Sequence, residues 1–141
     1  MHVSDVRTCM DASSAPVARR KILVFEEDKF LASLMHMLLY REGFDISIIC
    51  SETDALDHIQ GQSPPELLFV NYKWLTDDYP PVIQRMLYHD GWQDISIILL
   101  LSYFDEDIID HATTMGVSDY LIQPIEPGVL LDVIQKHIKE K

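Results

Sequence analysis

The chain has 141 residues, a formal net charge of −12 at pH 7 and 48% apolar residues, which is one ordinary domain with enough apolar content for a single core. An acidic body repels phosphate backbones and anionic lipid, which argues against nucleic-acid or membrane binding by this domain; between Ile22 and Gln135 the only basic residues are Lys29, Arg41, Lys73 and Arg85. The cluster Arg19-Arg20-Lys21 reads as a solubilising flank. No apolar run is long enough to span a membrane, and the N-terminus has no signal-peptide core. Cys9 and Cys50 have neither metal nor redox spacing, which fits a reduced cytoplasmic setting. No two of the histidines stand i, i+4 apart, so the sequence offers no histidine metal site.

In chain order, residues 1–20 read as a disordered tail without sustained periodicity, and residues 21–141 as one domain. Ile22-Leu23-Val24-Phe25 is a short continuous apolar run, the pattern of a strand buried on both faces, and it stops at Glu26-Glu27-Asp28. A helix follows with Phe30, Leu31, Leu34, Met35, Leu38 and Leu39 at helical spacing, ending at Gly43. Ile46 to Ile49 is a second strand. Ser51 caps a helix carrying Ala55, Leu56 and Ile59, and Pro64-Pro65 breaks the chain before a third strand, Leu67 to Val70. A helix is expected over roughly Pro81 to His89, and Ile95 to Leu101 is an almost wholly apolar central strand. A helix from about Asp105 to Met115 stops at Gly116, and Tyr120-Leu121-Ile122 forms the fifth strand. Pro127 then opens a last helix with Leu130, Val133, Ile134 and Ile138.

This alternation gives an α/β fold, a doubly wound parallel sheet of flavodoxin-like (βα)5 type with strand order 2-1-3-4-5. Functional residues of such folds gather at the carboxyl ends of the strands. There stand Glu26-Glu27 after strand one, Asn71 after strand three, Ser102-Tyr103 after strand four and Gln123-Pro124 after strand five, with Tyr120 three positions earlier.

In order and spacing these segments resemble the receiver domain of two-component response regulators (CheY-like), from Lys21 to about Lys139. The resemblance implies that Glu26 and Glu27 match the family's acidic, magnesium-holding pair, each one methylene longer than aspartate. Asn71 stands at the phosphoacceptor aspartate, Ser102 and Tyr120 at the hydroxyl and aromatic switch positions, and Gln123 at the lysine before proline. Tyr103 stands where the family has a small residue, and is expected to crowd the entrance. The usual proline- and glycine-containing loop after the acceptor is replaced by Tyr72-Lys73-Trp74-Leu75-Thr76.

These departures describe a degenerate pseudo-receiver. An asparagine amide is neutral and a poor nucleophile, and it removes one anionic ligand that magnesium prefers. Gln123 lacks the fixed charge that stabilises a transferred phosphoryl group. One anion and one cation are lost together, leaving Glu26 and Glu27 as a −2 pocket; Asn71 and Gln123 are expected to share hydrogen bonds with the glutamates and lock it.

No catalysis and no cofactor are expected, residual Mg2+ at Glu26/Glu27 being the lesser alternative. The expected role is a phosphorylation-independent interaction module. Its partner would be a protein, whether a fused output domain beyond Lys141, a sensor kinase or a second copy, met through the last helix–strand–helix face. The last helix is more apolar than one buried stripe requires. Trp74 and Trp92 are read as loop or edge packing, and Asp105-Glu106-Asp107 as the start of a helix. The alternatives are a receiver phosphorylated at a non-standard residue, such as Ser102 or a glutamate, and a ligand-binding protein on the same fold. The latter is disfavoured because no glycine-rich phosphate loop follows strand one.

Overall fold

The computed structural model describes residues 20–76, 82–89 and 91–138. The tail expected over residues 1–20 lies outside them, Arg20 excepted. Five parallel strands, β1 (Lys21–Phe25), β2 (Asp45–Ile49), β3 (Leu67–Asn71), β4 (Ser96–Leu101) and β5 (Asp119–Ile122), pair in the order β2-β1-β3-β4-β5. The helices are α1 (Lys29–Arg41), α2 (Glu52–Gly61), α3 (Val82–Met86), α4 (Glu106–Thr114) and α5 (Pro127–His137), with short 3-10 turns at Tyr72–Leu75 and Trp92–Asp94. This is the flavodoxin-like architecture expected of the sequence.

Alternation along each strand divides the core between two faces. Ile22 and Val24 of β1, Leu67 and Phe69 of β3, and Ile98 and Leu100 of β4 pack against α1 and α5. Leu23, Phe25, Leu68, Val70, Leu99 and Leu101 pack on the other face with α2, α3 and α4. Val24, Phe25 and all four of Leu67 to Val70 are fully buried. Each such side chain contributes about 1.5–3 kcal/mol relative to exposure.

The helix starts follow local chemistry. Asp28 caps α1, its Oδ1 accepting the N–H groups of Phe30 at 2.9 Å and Leu31 at 3.3 Å. Ser51 Oγ accepts the Asp54 N–H at 3.2 Å, and Asp105 Oδ1 accepts those of Asp107 and Ile108 at 3.0 and 3.2 Å. Gly43 and Gly116, after α1 and α4, have φ of +90° and +102°, a conformation that only glycine adopts cheaply.

Two expectations are corrected. Of the helix placed over Pro81–His89, Pro81 lies outside the described residues, Val82–Met86 is helical, and turn residues follow to His89. The reading of Trp74 and Trp92 as loop or edge packing holds for the loop and fails for the edge: both sit in 3-10 turns, yet each is 1% exposed inside the core on the α2–α4 face. The apolar excess of α5 is partly resolved, with Leu130, Val133 and Ile134 buried and Val129 47% exposed.

Candidate functional site

Strand register sets the site. Phe25 pairs with Val70, so the next residues, Glu26 and Asn71, meet at the carboxyl ends of adjacent central strands. They border an open cleft of about 490 Å3 lined by Glu26, Glu27, Asp28, Asn71, Tyr72, Lys73 and Thr76.

Glu26 is 1% exposed. Its Oε2 accepts the Asp28 N–H at 3.0 Å, and Asn71 Nδ2 donates to Oε1 at 3.2 Å and to Oε2 at 3.4 Å. The other end of the Asn71 amide is also engaged, Oδ1 accepting the Lys73 N–H at 2.9 Å and starting the 3-10 turn. That turn brings two further side chains back to the pair. Lys73 Nζ lies 3.1 Å from Glu27 Oε2, and Trp74 Nε1 donates to Glu27 Oε1 at 3.3 Å. Trp74 stacks on Phe25 with ring centroids 4.8 Å apart, which fixes the indole beneath the acids.

The expected lock is therefore half present. Asn71 holds Glu26, but Gln123 does not line the cleft and has no side-chain hydrogen bond among the described residues. Its backbone N–H donates to Leu101 O at 2.8 Å, ahead of a cis bond to Pro124. The register places Leu101 against Ile122, so Gln123 follows a strand separated from β1 by both β3 and β4, too far for an amide to reach Glu26. Lys73 supplies the contact instead, and with it a cation. The sequence signal was the unusual Tyr72-Lys73-Trp74 in the loop after β3.

The switch positions stand apart from the cleft. Ser102 is exposed, and Tyr120 is half-buried with an edge contact from Phe104 at 6.3 Å. Tyr103 is 63% exposed and does not line the cleft, so it does not crowd the entrance as expected; the ring beside Tyr120 is that of Phe104. A direct contact joins the cleft to α4: Tyr72 hydroxyl and His111 Nδ1 are 2.9 Å apart, with the rings edge to face.

Burial pushes the Glu26 carboxyl above its ordinary value, outweighing the Asp28 N–H and Asn71 amide; Glu27 and Asp28 add to the rise. A raised carboxyl in the folded state stabilises at low pH, and that contribution is lost as pH rises through the folded value. Asp119 behaves oppositely. Burial raises it, but His137 Nε2 at 2.9 Å, the Tyr120 N–H and the Lys136 charge outweigh burial and hold it low. Its contribution is present above the ordinary aspartate value and is lost as pH falls through the depressed one. Side-chain carboxyl 13C titration should show the Glu26 midpoint above the ordinary glutamate value and the Asp119 midpoint below the ordinary aspartate value; a Glu26 midpoint at or below the ordinary value would contradict the burial argument.

No protein-family model matches the chain. Among curated proteins it is 26% identical over 121 residues to the DNA-binding response regulator MtrA of Mycolicibacterium paratuberculosis, covering 86% of this chain and 52% of the relative. The chain thus spans about half the length of the MtrA relatives it matches. Among solved structures, a response regulator from Thermotoga maritima superposes with a TM-score of 0.74 at 21% identity, covering 87% of this chain and all of the other. The receiver domain of sensor histidine kinase PA1611 from Pseudomonas aeruginosa, solved with magnesium in its active-site cleft, gives 0.71 at 15% identity over 85% of this chain and 98% of its own. No helix among the described residues is long and apolar enough to cross a membrane. With its strand order, its strand-end cleft and these likenesses, the chain has the CheY-like receiver fold and is related to two-component response regulators.

Proposed function

We propose that this domain is a phosphorylation-independent pseudo-receiver that signals through protein contacts. The observation that carries the reading is Asn71 at the end of β3: its amide is neutral, and both its heteroatoms are held, one by Glu26 and one by the Lys73 backbone. A nucleophile for phosphoryl transfer needs a free anionic oxygen aimed at phosphorus. Ser102 stands at the family's hydroxyl position, but it is exposed and does not line the cleft, which disfavours it as a substitute acceptor. The domain is read as non-catalytic, and the free thiol of Cys50 is compatible with a cytoplasmic setting.

The partner surface is read from charge and exposure. From Met86 to Gln135 the sequence holds no lysine or arginine, and this stretch builds β4, α4, β5 and most of α5. Glu106, Asp107, Asp110, Glu126 and Asp132 are exposed on its helices and loops, while Tyr103, Phe104 and Val129 expose 63%, 60% and 47% of their surface. Aromatic anchors among exposed acids fit a cationic protein segment. Two copies meeting here would oppose acid to acid, so a homodimer through this face is disfavoured.

Incubating the protein with Mg2+ and a small phosphodonor and recording the intact mass tests the central reading. The unmodified mass alone is expected. A stoichiometric phosphate adduct would overturn it.

A further inference from the structure

Every carboxylate oxygen of the paired glutamates already has a protein donor. Glu26 Oε1 takes Asn71 Nδ2, Glu26 Oε2 takes the Asp28 N–H, Glu27 Oε1 takes Trp74 Nε1, and Glu27 Oε2 takes the Lys73 ammonium at 3.1 Å. The neighbouring Asp28 Oδ1 is bound to the first turn of α1, and Asn71 Oδ1 to the Lys73 N–H. A magnesium ion demands several oxygen ligands at about 2.0–2.1 Å in near-octahedral array. These oxygens keep lone-pair capacity beyond the donors they hold, so the feature that opposes a divalent ion here is the fixed cation already seated on Glu27. The residues present therefore do not fit the metal. Nearly all the displacing groups come from one short segment, Asn71 to Trp74, which is pinned by the Trp74–Phe25 stack beneath it.

We infer that the Lys73 ammonium is a tethered cation that holds the position a divalent metal would take in this acidic cleft, and that it makes the domain insensitive to divalent ions. This goes beyond the absence of a phosphoacceptor: the acidic pair that would attract a metal is still there, and one of its two charges is offset from within by Lys73. The charge that compensates Glu27 comes from the turn after β3, while the end of β5 carries the neutral Gln123.

Metal-free wild-type protein and Lys73→Met are compared by 1H–15N spectra during titration with Mn2+. The two indole N–H signals give a built-in control, because Trp74 lies at the cleft and Trp92 precedes β4 at the opposite ends of the strands. Coulomb repulsion between an ammonium and a divalent ion a few ångströms apart exceeds the equivalent of about a tenfold change in affinity, even at an effective dielectric constant of about 20. The expected result is that millimolar Mn2+ leaves both indoles of the wild type sharp, whereas Lys73→Met binds at least about tenfold more tightly and selectively broadens Trp74. Lys73→Arg keeps the charge and should behave as wild type. A purely packing role for the lysine would not move this readout. If Lys73→Met does not fold, Lys73→Gln carries the same comparison. Selective broadening of Trp74 in the wild type at the same Mn2+ concentration as in the variant would overturn the inference, as would a variant that folds and stays blind to Mn2+. The test uses no phosphodonor, so its failure is distinct from failure of the phosphorylation-independent reading.

Discussion

Trp74→Ala is expected to destabilise the domain by about 3–5 kcal/mol, measured by urea denaturation followed by far-UV circular dichroism. The indole is 1% exposed and stacks on Phe25 at 4.8 Å, so truncation leaves a large cavity beneath the cleft. Domains of this size have only about 5–15 kcal/mol in total, so the variant should be near its unfolding threshold at physiological temperature. Trp74→Phe separates packing from hydrogen bonding. It keeps a ring against Phe25 but removes the donor to Glu27, an acid that retains its ion pair with Lys73. The loss should then be roughly 1 kcal/mol. If the two variants are equally destabilised, the hydrogen bond rather than the stack dominates, and the packing account is wrong.

The second large effect comes from restoring an acid. Asn71→Asp replaces an amide donor 3.2 Å from Glu26 Oε1 by a carboxylate. Two carboxylates at that distance cannot both ionise cheaply, and Glu26 is already pushed up by burial. The pair will share a proton and titrate as a unit with one apparent value raised. A raised value in the folded state is stabilising below the ordinary carboxylate range and costs stability as pH rises through it. Asn71→Asp is therefore expected to lose roughly 2–3 kcal/mol at pH 8 and to recover most of it near pH 5. Denaturation midpoints across that range decide it. A loss independent of pH would show that the carboxylates do not interact, and the cleft geometry would need revision.

Most of the fold was legible because it rests on apolar runs of strand length separated by caps and glycines. Ile22–Phe25, Leu67–Val70 and Ile97–Leu101 could hardly be anything but buried strands, and Asp28, Ser51 and Asp105 cap as side chains of their type do. The short α3 was overextended because Val82, Ile83 and Met86 give a helical period over barely one turn. The site was legible in its strand-end members and illegible in its turn. Asn71 and Glu26 follow from register alone. Lys73 and Trp74 depend on a 3-10 turn that folds the chain back under the glutamates, a conformation that side-chain pattern does not announce. Gln123 was grouped with Asn71 because both are degenerate positions of one resemblance. The sheet keeps them two strands apart, and likeness of origin carries no information about contact.

Tyr72 sits between Asn71 and Lys73 in the chain, yet its hydroxyl leaves the cleft and meets His111 on α4 at 2.9 Å. One short turn thus touches both the acids and a helix of the proposed docking face. Coupling free energies are reciprocal. Whatever free energy a molecule seated on α4 adds to or subtracts from the Lys73–Glu27 ion pair through this turn must reappear, equal in size, in the affinity of that surface when the ion pair is removed. Removing a single phenolic oxygen, as in Tyr72→Phe, would cut that thermodynamic accounting without changing the net charge of either end.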